Sequence, residues 1–124
     1  MKKENDCVFC KIANKEIPVE ILFEDRDIII FPDKNPSAPI HHLVIPKKHI
    51  QSLAHLEKGD EKVIAKIFFA AKDDAKKAGL KGFKTLFNVG PDGGQIINHL
   101  HLHILGGWSK KSDIDMMPHP NLDK

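Results

Sequence analysis

The stretch NHLHLHILGG, residues 98–107, carries an imidazole at every second position, His99, His101 and His103, with Leu100, Leu102 and Ile104 between them. A period of two is the mark of a β-strand, in which successive side chains point to opposite faces. The apolar set then packs into a core and the three histidines share the other face. A slip of one residue would exchange the two sets, so the pattern enforces its own register. Three chemistries compete for such a face: a merely polar strand surface, a three-histidine metal site, and histidines with separate duties. Same-face Cα atoms two residues apart lie about 6.7 Å from one another, which sets the outer pair roughly 13 Å apart, too far to close on one ion unless the strand bends. With separate duties, a neutral imidazole whose Nδ1–H is held by a carbonyl presents an Nε2 lone pair able to attack phosphorus. The middle residue, His101, suits that role, with neighbours on both sides to hold it.

Just upstream, NVGPDGGQ (88–95) places Asn88 at a strand end and Gly90, Gly93 and Gly94 in a turn where backbone N–H groups can approach an anion with no Cβ in the way. Alone, a glycine-rich hairpin is usually only a hairpin. Joined to a triple-histidine strand it reads as a phosphate cradle.

Outward from this strand, FCKIANKEIP contains a short helix over Phe9–Ala13 that stops before Pro18. VEILFE and DIIIFPD form a β-hairpin about Asp25-Arg26-Asp27, KNPSAP is a loop, and HHLVIP is a third strand closed by Pro46. From about Asp60 to Ala78 the period changes to 3.6: Val63, Ile64, Ile67, Phe68, Ala71, Ala75 and Ala78 share one face, and Gly79 ends the helix. FKTLFNVG is a fourth strand, PDGG a turn and HLHLHILGG the fifth strand. One long helix against a mostly antiparallel meander is an α+β fold, a five-stranded antiparallel sheet whose inner face the helix covers and whose other face is free for chemistry.

The 124 residues suit one domain, with residues 7–108 as its core and flexible ends at 1–6 and 109–124. A formal charge of +2, with lysines and carboxylates intermixed, gives no basic stripe for a nucleic acid. The N-terminus lacks the apolar run of a secretory signal and no segment reaches membrane-span length, so a cytoplasmic protein with no membrane partner is expected. In that reducing compartment Cys7 and Cys10 are thiols, a redox pair or metal ligands rather than a structural disulfide.

With these residues in hand, the chain resembles the histidine triad (HIT) family. HLHLHIL matches its His-φ-His-φ-His-φ-φ signature, φ being apolar, and the likeness runs from CVFCKIANKEIP through APIHHLVIPKKHI and NVGPDGGQ to HLHILGGW. The Gly-Gly after the triad and the LVIPKKH block resemble the Hint branch, the nucleoside phosphoramidate hydrolases. The resemblance implies a purine nucleotide-binding homodimer in which two five-stranded sheets join into one of ten strands. It implies His101 as nucleophile, His103 as a phosphate ligand and His41 as a supporting histidine. Asn88, Gly94, Gln95 and the backbone of Ile96 would contact the α-phosphate, Asp33 the ribose hydroxyls, and Phe9, Ile12 and Phe31 would wall the base pocket. Core packing is the alternative for the apolar residues, and capping of the turn before Pro36 for Asp33. One departure stands out: where the Hint branch usually carries a serine after the glutamine, this chain has Ile96, which has no hydroxyl to protonate a leaving amine.

Cys-x-x-Cys has a spacing common in zinc sites but needs two more ligands, and the chain has no further cysteine. The resemblance to bacterial HIT proteins with the same motif implies Cys7, Cys10, His49 and His99 around a structural zinc; an unmetallated thiol pair and a redox pair remain open. The expected activity is hydrolysis of purine nucleoside 5′-phosphoramidates through a nucleotidyl-histidine. Dinucleoside polyphosphate hydrolysis or nucleotidyl transfer is the second reading. The third is a non-catalytic nucleotide-binding protein that binds partners through its DIDMMPHP tail, with an exposed Trp108 in its support, although an interface or packing role is the favoured reading of Trp108.

Overall fold

The structure, a computed structural model, describes residues 6–110. Nearly all of the expected flexible ends, and the DIDMMPHP tail with them, lie outside the described residues. Helix α1 (Val8–Ala13) is followed by strands β1 (Phe23–Glu24), β2 (Ile28–Pro32) and β3 (Ile40–Pro46), helix α2 (Glu61–Lys77), β4 (Phe83–Leu86) and β5 (Leu102–Gly106). The five strands form one antiparallel sheet in the order β1-β2-β3-β5-β4. This corrects the expected meander: α2 carries the chain from β3 past the next sheet position to the edge, and β5 returns between β3 and β4.

The strand run IIIF is apolar at every position because both of its faces are covered. Ile28 and Ile30 join Val44, Leu102 and Ile104 beneath Ile67, Ala71 and Ala75 of α2. Ile29 and Phe31 join Leu43 and Ile45 beneath Phe9, Ile12 and Ala13 of α1. Burial of one such side chain contributes roughly 1.5–3 kcal/mol. The second face is therefore not free, as expected from the sequence, but partly roofed by α1.

Helix α2 ends where Gly79 takes φ +78°, a left-handed conformation that glycine adopts without a Cβ penalty. Its stripe departs from expectation at two places: Phe68 is 48% exposed, while Asp74 is buried and bonded through Oδ2 to His42 Nδ1 at 2.6 Å. The hairpin turn forms as expected, with Asp25 Oδ1 accepting from the Asp27 and Ile28 amides. No helix among the described residues is long and apolar enough to cross a membrane.

Three strands are shorter than their sequences suggest. β1 keeps two residues, β4 stops at Leu86 so that Asn88 lies beyond it, and β5 begins only at Leu102. The last of these decides the site. His99 and His101 precede the strand, on a segment held by the His99 amide to the Ile97 carbonyl (2.9 Å) and the Leu100 amide to the Ile50 carbonyl (2.6 Å). Across the bend the alternation of faces persists: Leu100, Leu102 and Ile104 enter the α2-side core, while His99 faces Cys7, Cys10 and Phe9 on the α1 side.

Candidate active site

All three triad histidines are buried, His99 at 0%, His101 at 4% and His103 at 1% exposure. Buried imidazoles need partners, and those partners fix which nitrogen carries the proton. A backbone carbonyl only accepts, so His101 Nδ1–H donates to the His99 carbonyl at 2.7 Å and its Nε2 keeps the lone pair. Burial pushes the His101 pKa below the usual 6.5, against the opposing pull of the His99 carbonyl and of Asp33. The Phe9 ring meets His101 edge-on at a centroid distance of 5.1 Å, and the His103 ring lies 4.9 Å from it.

His103 and His41 sit on neighbouring strands on the α1 side of the sheet. The Ser37 amide can only donate, and it does so to His41 Nδ1 at 2.9 Å, which leaves the His41 proton on Nε2. That Nε2–H faces His103 Nδ1 at 2.9 Å and Asp33 Oδ2 at 3.4 Å. His103 Nδ1 thus accepts, and its Nε2 is left as a donor.

Four donor atoms converge on the other side of the bend. His99 Nε2–H donates to the Pro46 carbonyl at 2.8 Å, so its Nδ1 offers a lone pair. Cys7 Sγ lies 3.2 Å from that nitrogen, Cys10 Sγ 3.5 Å and His49 Nδ1 3.2 Å. Cys10 Sγ is 3.2 Å from His49 Nδ1, and all four atoms lie within 4.8 Å of one another. One lone pair cannot accept three hydrogen bonds, whereas a cation resolves the convergence. A tetrahedral zinc with ~2.3 Å to sulfur and ~2.0 Å to nitrogen spaces its ligand atoms about 3.3–3.8 Å apart, close to what is found. Burial lowers the His99 pKa to about 4, reinforced by His49 and His101 and opposed by the Pro46 carbonyl, which keeps the ring neutral as a ligand must be. These residues fit a zinc ion. The Asp33, His41 and His103 group is as compact but does not fit one, because the Ser37 amide keeps a proton on the His41 nitrogen that would have to ligate.

A cleft of about 800 Å³ opens beside His101. Phe9, Ile12, Phe31 and Leu43 line it, together with Asp33, Lys34 and Ile96. Asp33 Oδ1 accepts from the Asn35 amide at 2.9 Å, so this carboxylate caps its turn while lining the cleft. The glycine loop is tied by its own hydrogen bonds. The amides of Gly93, Gly94 and Gln95 donate to the carbonyls of Gly90, Pro91 and Gly90. Gln95 Oε1 accepts from the Gly90 amide and its Nε2 donates to the carbonyls of Gln51 and Ile97, while Asn88 Nδ2 donates to the Gly93 carbonyl. Asn88, Gly94 and Gln95 therefore brace the loop with these groups, and Gly94 closes it at φ +83°. Trp108, read from the sequence as an interface or packing residue, is half-buried with Lys84 Nζ 5.9 Å above its ring.

A family model described as scavenger mRNA decapping enzyme C-term binding matches residues 6–116. Protein HitA of Neisseria gonorrhoeae is 48% identical over 103 residues, 82% of this chain and 96% of that protein. The chain belongs to the histidine triad family. Among solved HIT structures, a HIT family hydrolase from Legionella pneumophila is 46% identical with a TM-score of 0.81, covering 83% of this chain and 94% of that one. A histidine triad protein from Clostridium difficile is 43% identical with a TM-score of 0.82, covering 89% and 96%. In this HIT chain the groups missed from sequence are mostly carbonyls and amides: Pro46 and Ile50 hold the triad segment, Gln51 holds the Gln95 side chain and Ser37 orients His41. No side-chain pattern marks them. Ile17, Pro18 and Val19, which complete the cleft, also carry no periodic signal.

Proposed function

We propose that this protein hydrolyses purine nucleoside 5′-phosphoramidates by double displacement at His101. The observation that carries the reading is the 2.7 Å bond from His101 Nδ1–H to the His99 carbonyl, which leaves an unprotonated Nε2 on a ring lining the cleft. That lone pair forms a bond to the α-phosphorus as the phosphorus–nitrogen bond breaks, and the amine leaves after taking a proton from water. Water then attacks the nucleotidyl-histidine, the phosphorus–Nε2 bond breaks, and a nucleoside monophosphate departs. His103 Nε2–H, its polarity set through His41, donates to a phosphate oxygen, and the Ile96 amide serves a second one. Phe9, Ile12 and Phe31 hold the base, and the two oxygens of Asp33 suit the vicinal ribose diol. Relatives named as HIT family hydrolases, from Legionella pneumophila and Clostridium thermocellum, support the reaction class.

Cys7, Cys10, His49 and His99 would hold a zinc ion, which ties α1 to the sheet and supplies no open position for water. Strand β4 is an edge of the sheet among the described residues, and Phe83, Phe68 and Phe69 are 40%, 48% and 65% exposed, which supports a homodimer with a continuous ten-stranded sheet. Sedimentation should give twice the chain mass.

A second reading has its own observation. Ile96 is 60% exposed on the cleft and brings no hydroxyl, which favours a leaving group that needs no proton, such as the phosphate end of a dinucleoside polyphosphate. Comparing kcat/KM for adenosine 5′-phosphoramidate and a dinucleoside polyphosphate tests the choice: a higher value for the phosphoramidate is expected, and the reverse order assigns the second reaction.

A further inference from the structure

The nucleophile is not held by the sheet. β5 begins at Leu102, one residue after His101, so the ladder hydrogen bonds that fix His103 do not reach it. The His101 ring is held by the His99 carbonyl and lies against the rings of Phe9 and His103. The first of these belongs to the cysteine cluster and Phe9 adjoins it. His99 presents its Nδ1 to Cys7, Cys10 and His49, and Phe9 stands between the two cysteines on α1, with its ring 5.9 Å from that of His99 and 5.6 Å from that of Phe31. One face of the peptide segment thus answers to the cluster and the next residue but one to the substrate.

We propose that the Cys7–Cys10–His49–His99 cluster positions the nucleophile, with His99 as the residue that transmits occupancy of the cluster to the carbonyl orienting His101. This rests on the zinc reading of those four residues. With the ion bound, His99 and α1 are fixed to one another, the His99 carbonyl stays aimed at His101 Nδ1, and Phe9 limits rotation of the ring. Without it, three polar groups compete for one His99 lone pair, and the segment is left with the bonds to the Pro46, Ile97 and Ile50 carbonyls, none of which ties it to α1. His101 is then free to exchange its proton between nitrogens, and the fraction with Nε2 unprotonated and aimed falls. A nucleophile displaced by about 1 Å loses on the order of 100-fold in rate.

The test uses the full chain with histidine ring nitrogens labelled with ¹⁵N, as purified with zinc counted, after chelation, and after zinc is restored. The expected result is a single Nδ1–H tautomer at His101 with zinc, a mixture of tautomers after chelation, and return on restoration. In parallel, kcat should fall about 10- to 100-fold on chelation while the affinity for adenosine monophosphate falls by a smaller factor. Cys10→Ser should behave as the chelated protein does. Asp74→Ala, on the opposite face of the sheet, controls for simple loss of stability and should keep the single tautomer. An unchanged His101 tautomer in zinc-free protein that is still folded overturns the proposal and leaves the cluster as a staple. A protein that takes up no zinc overturns the metal reading beneath it. The nucleophile reading fails on a different observable, retained turnover by His101→Ala.

Discussion

Two groups of histidines lie on either side of the bend at His99, equally compact and nearly equally buried, and a single backbone group gives each its opposite character. In the cysteine cluster the Pro46 carbonyl takes the Nε2 proton of His99 and turns the Nδ1 lone pair toward the thiols. In the Asp33–His41–His103 group the Ser37 amide takes the Nδ1 lone pair of His41 and turns a proton toward His103 and Asp33. The first is a set of lone pairs, suited to a cation. The second is a relay that fixes the proton of His103 on Nε2, a donor suited to a phosphate oxygen. Between them His101 has one of each, its proton tied to the His99 carbonyl and its lone pair left for chemistry. The role of a buried imidazole is thus read from the partner of its far nitrogen, not from the residue type.

The largest effect should come from the residue between the groups. His101→Ala is expected to reduce turnover of adenosine 5′-phosphoramidate by ~10⁴-fold or more, the scale seen when a nucleophile is removed. Adenosine monophosphate binding, measured by calorimetry, should survive; a variant that keeps its turnover would remove the distinction between His101 and its neighbours.

Next comes the contrast in metal binding. Zinc counting should give one ion per chain, and free zinc at about 1,000 times its Kd should add ~4 kcal/mol to stability, read as a fall in Tm on chelation. His41→Ala should leave that count at one, since its group does not ligate. Loss of zinc from His41→Ala, with Cys7→Ser unaffected, would reverse the assignment.

Neither contrast could be read in full from the sequence, although much of the fold could. The period of α2, the apolar IIIF run and the alternation of Leu100, Leu102 and Ile104 each report burial directly, and those elements sit where their patterns imply. The triad's alternation also implied a straight strand with three exposed imidazoles. Its bend arises from the Ile97 and Ile50 carbonyls, and carbonyls have no letter in a sequence. Phosphate contacts by Asn88, Gly94 and Gln95 come from the family resemblance, whereas the bonds by which these residues also brace the loop became visible only with the turn built. Asp74 interrupts an otherwise apolar stripe, a sign that a partner must exist, but nothing in the stripe names His42.

That pair offers a smaller test, on the face of the sheet away from both histidine groups. Asp74→Ala strips the half-buried His42 of its acceptor and should cost about 1–3 kcal/mol in urea denaturation, with zinc content and nucleotide affinity unchanged. Coupled changes in either would show that the two faces are not independent.

The smallest effect concerns pH. Burial holds the His101 pKa below 6.5, so the neutral, reactive form persists as pH falls through that value. The acid limb of kcat/KM should therefore lie below 6.5, and the rate is lost only when pH drops through the lowered pKa. A limb above 6.5 would assign the titration to another group.

The most direct measurement is a rapid-quench reaction with adenosine 5′-phosphoramidate, followed by peptide mapping of the trapped protein. An acid-labile adenylyl group on His101, formed as fast as the amine is released, is the expected result. Amine release at full rate with no adduct, or with the adduct on another histidine, would show that the lone pair left free by the His99 carbonyl is not the one that attacks.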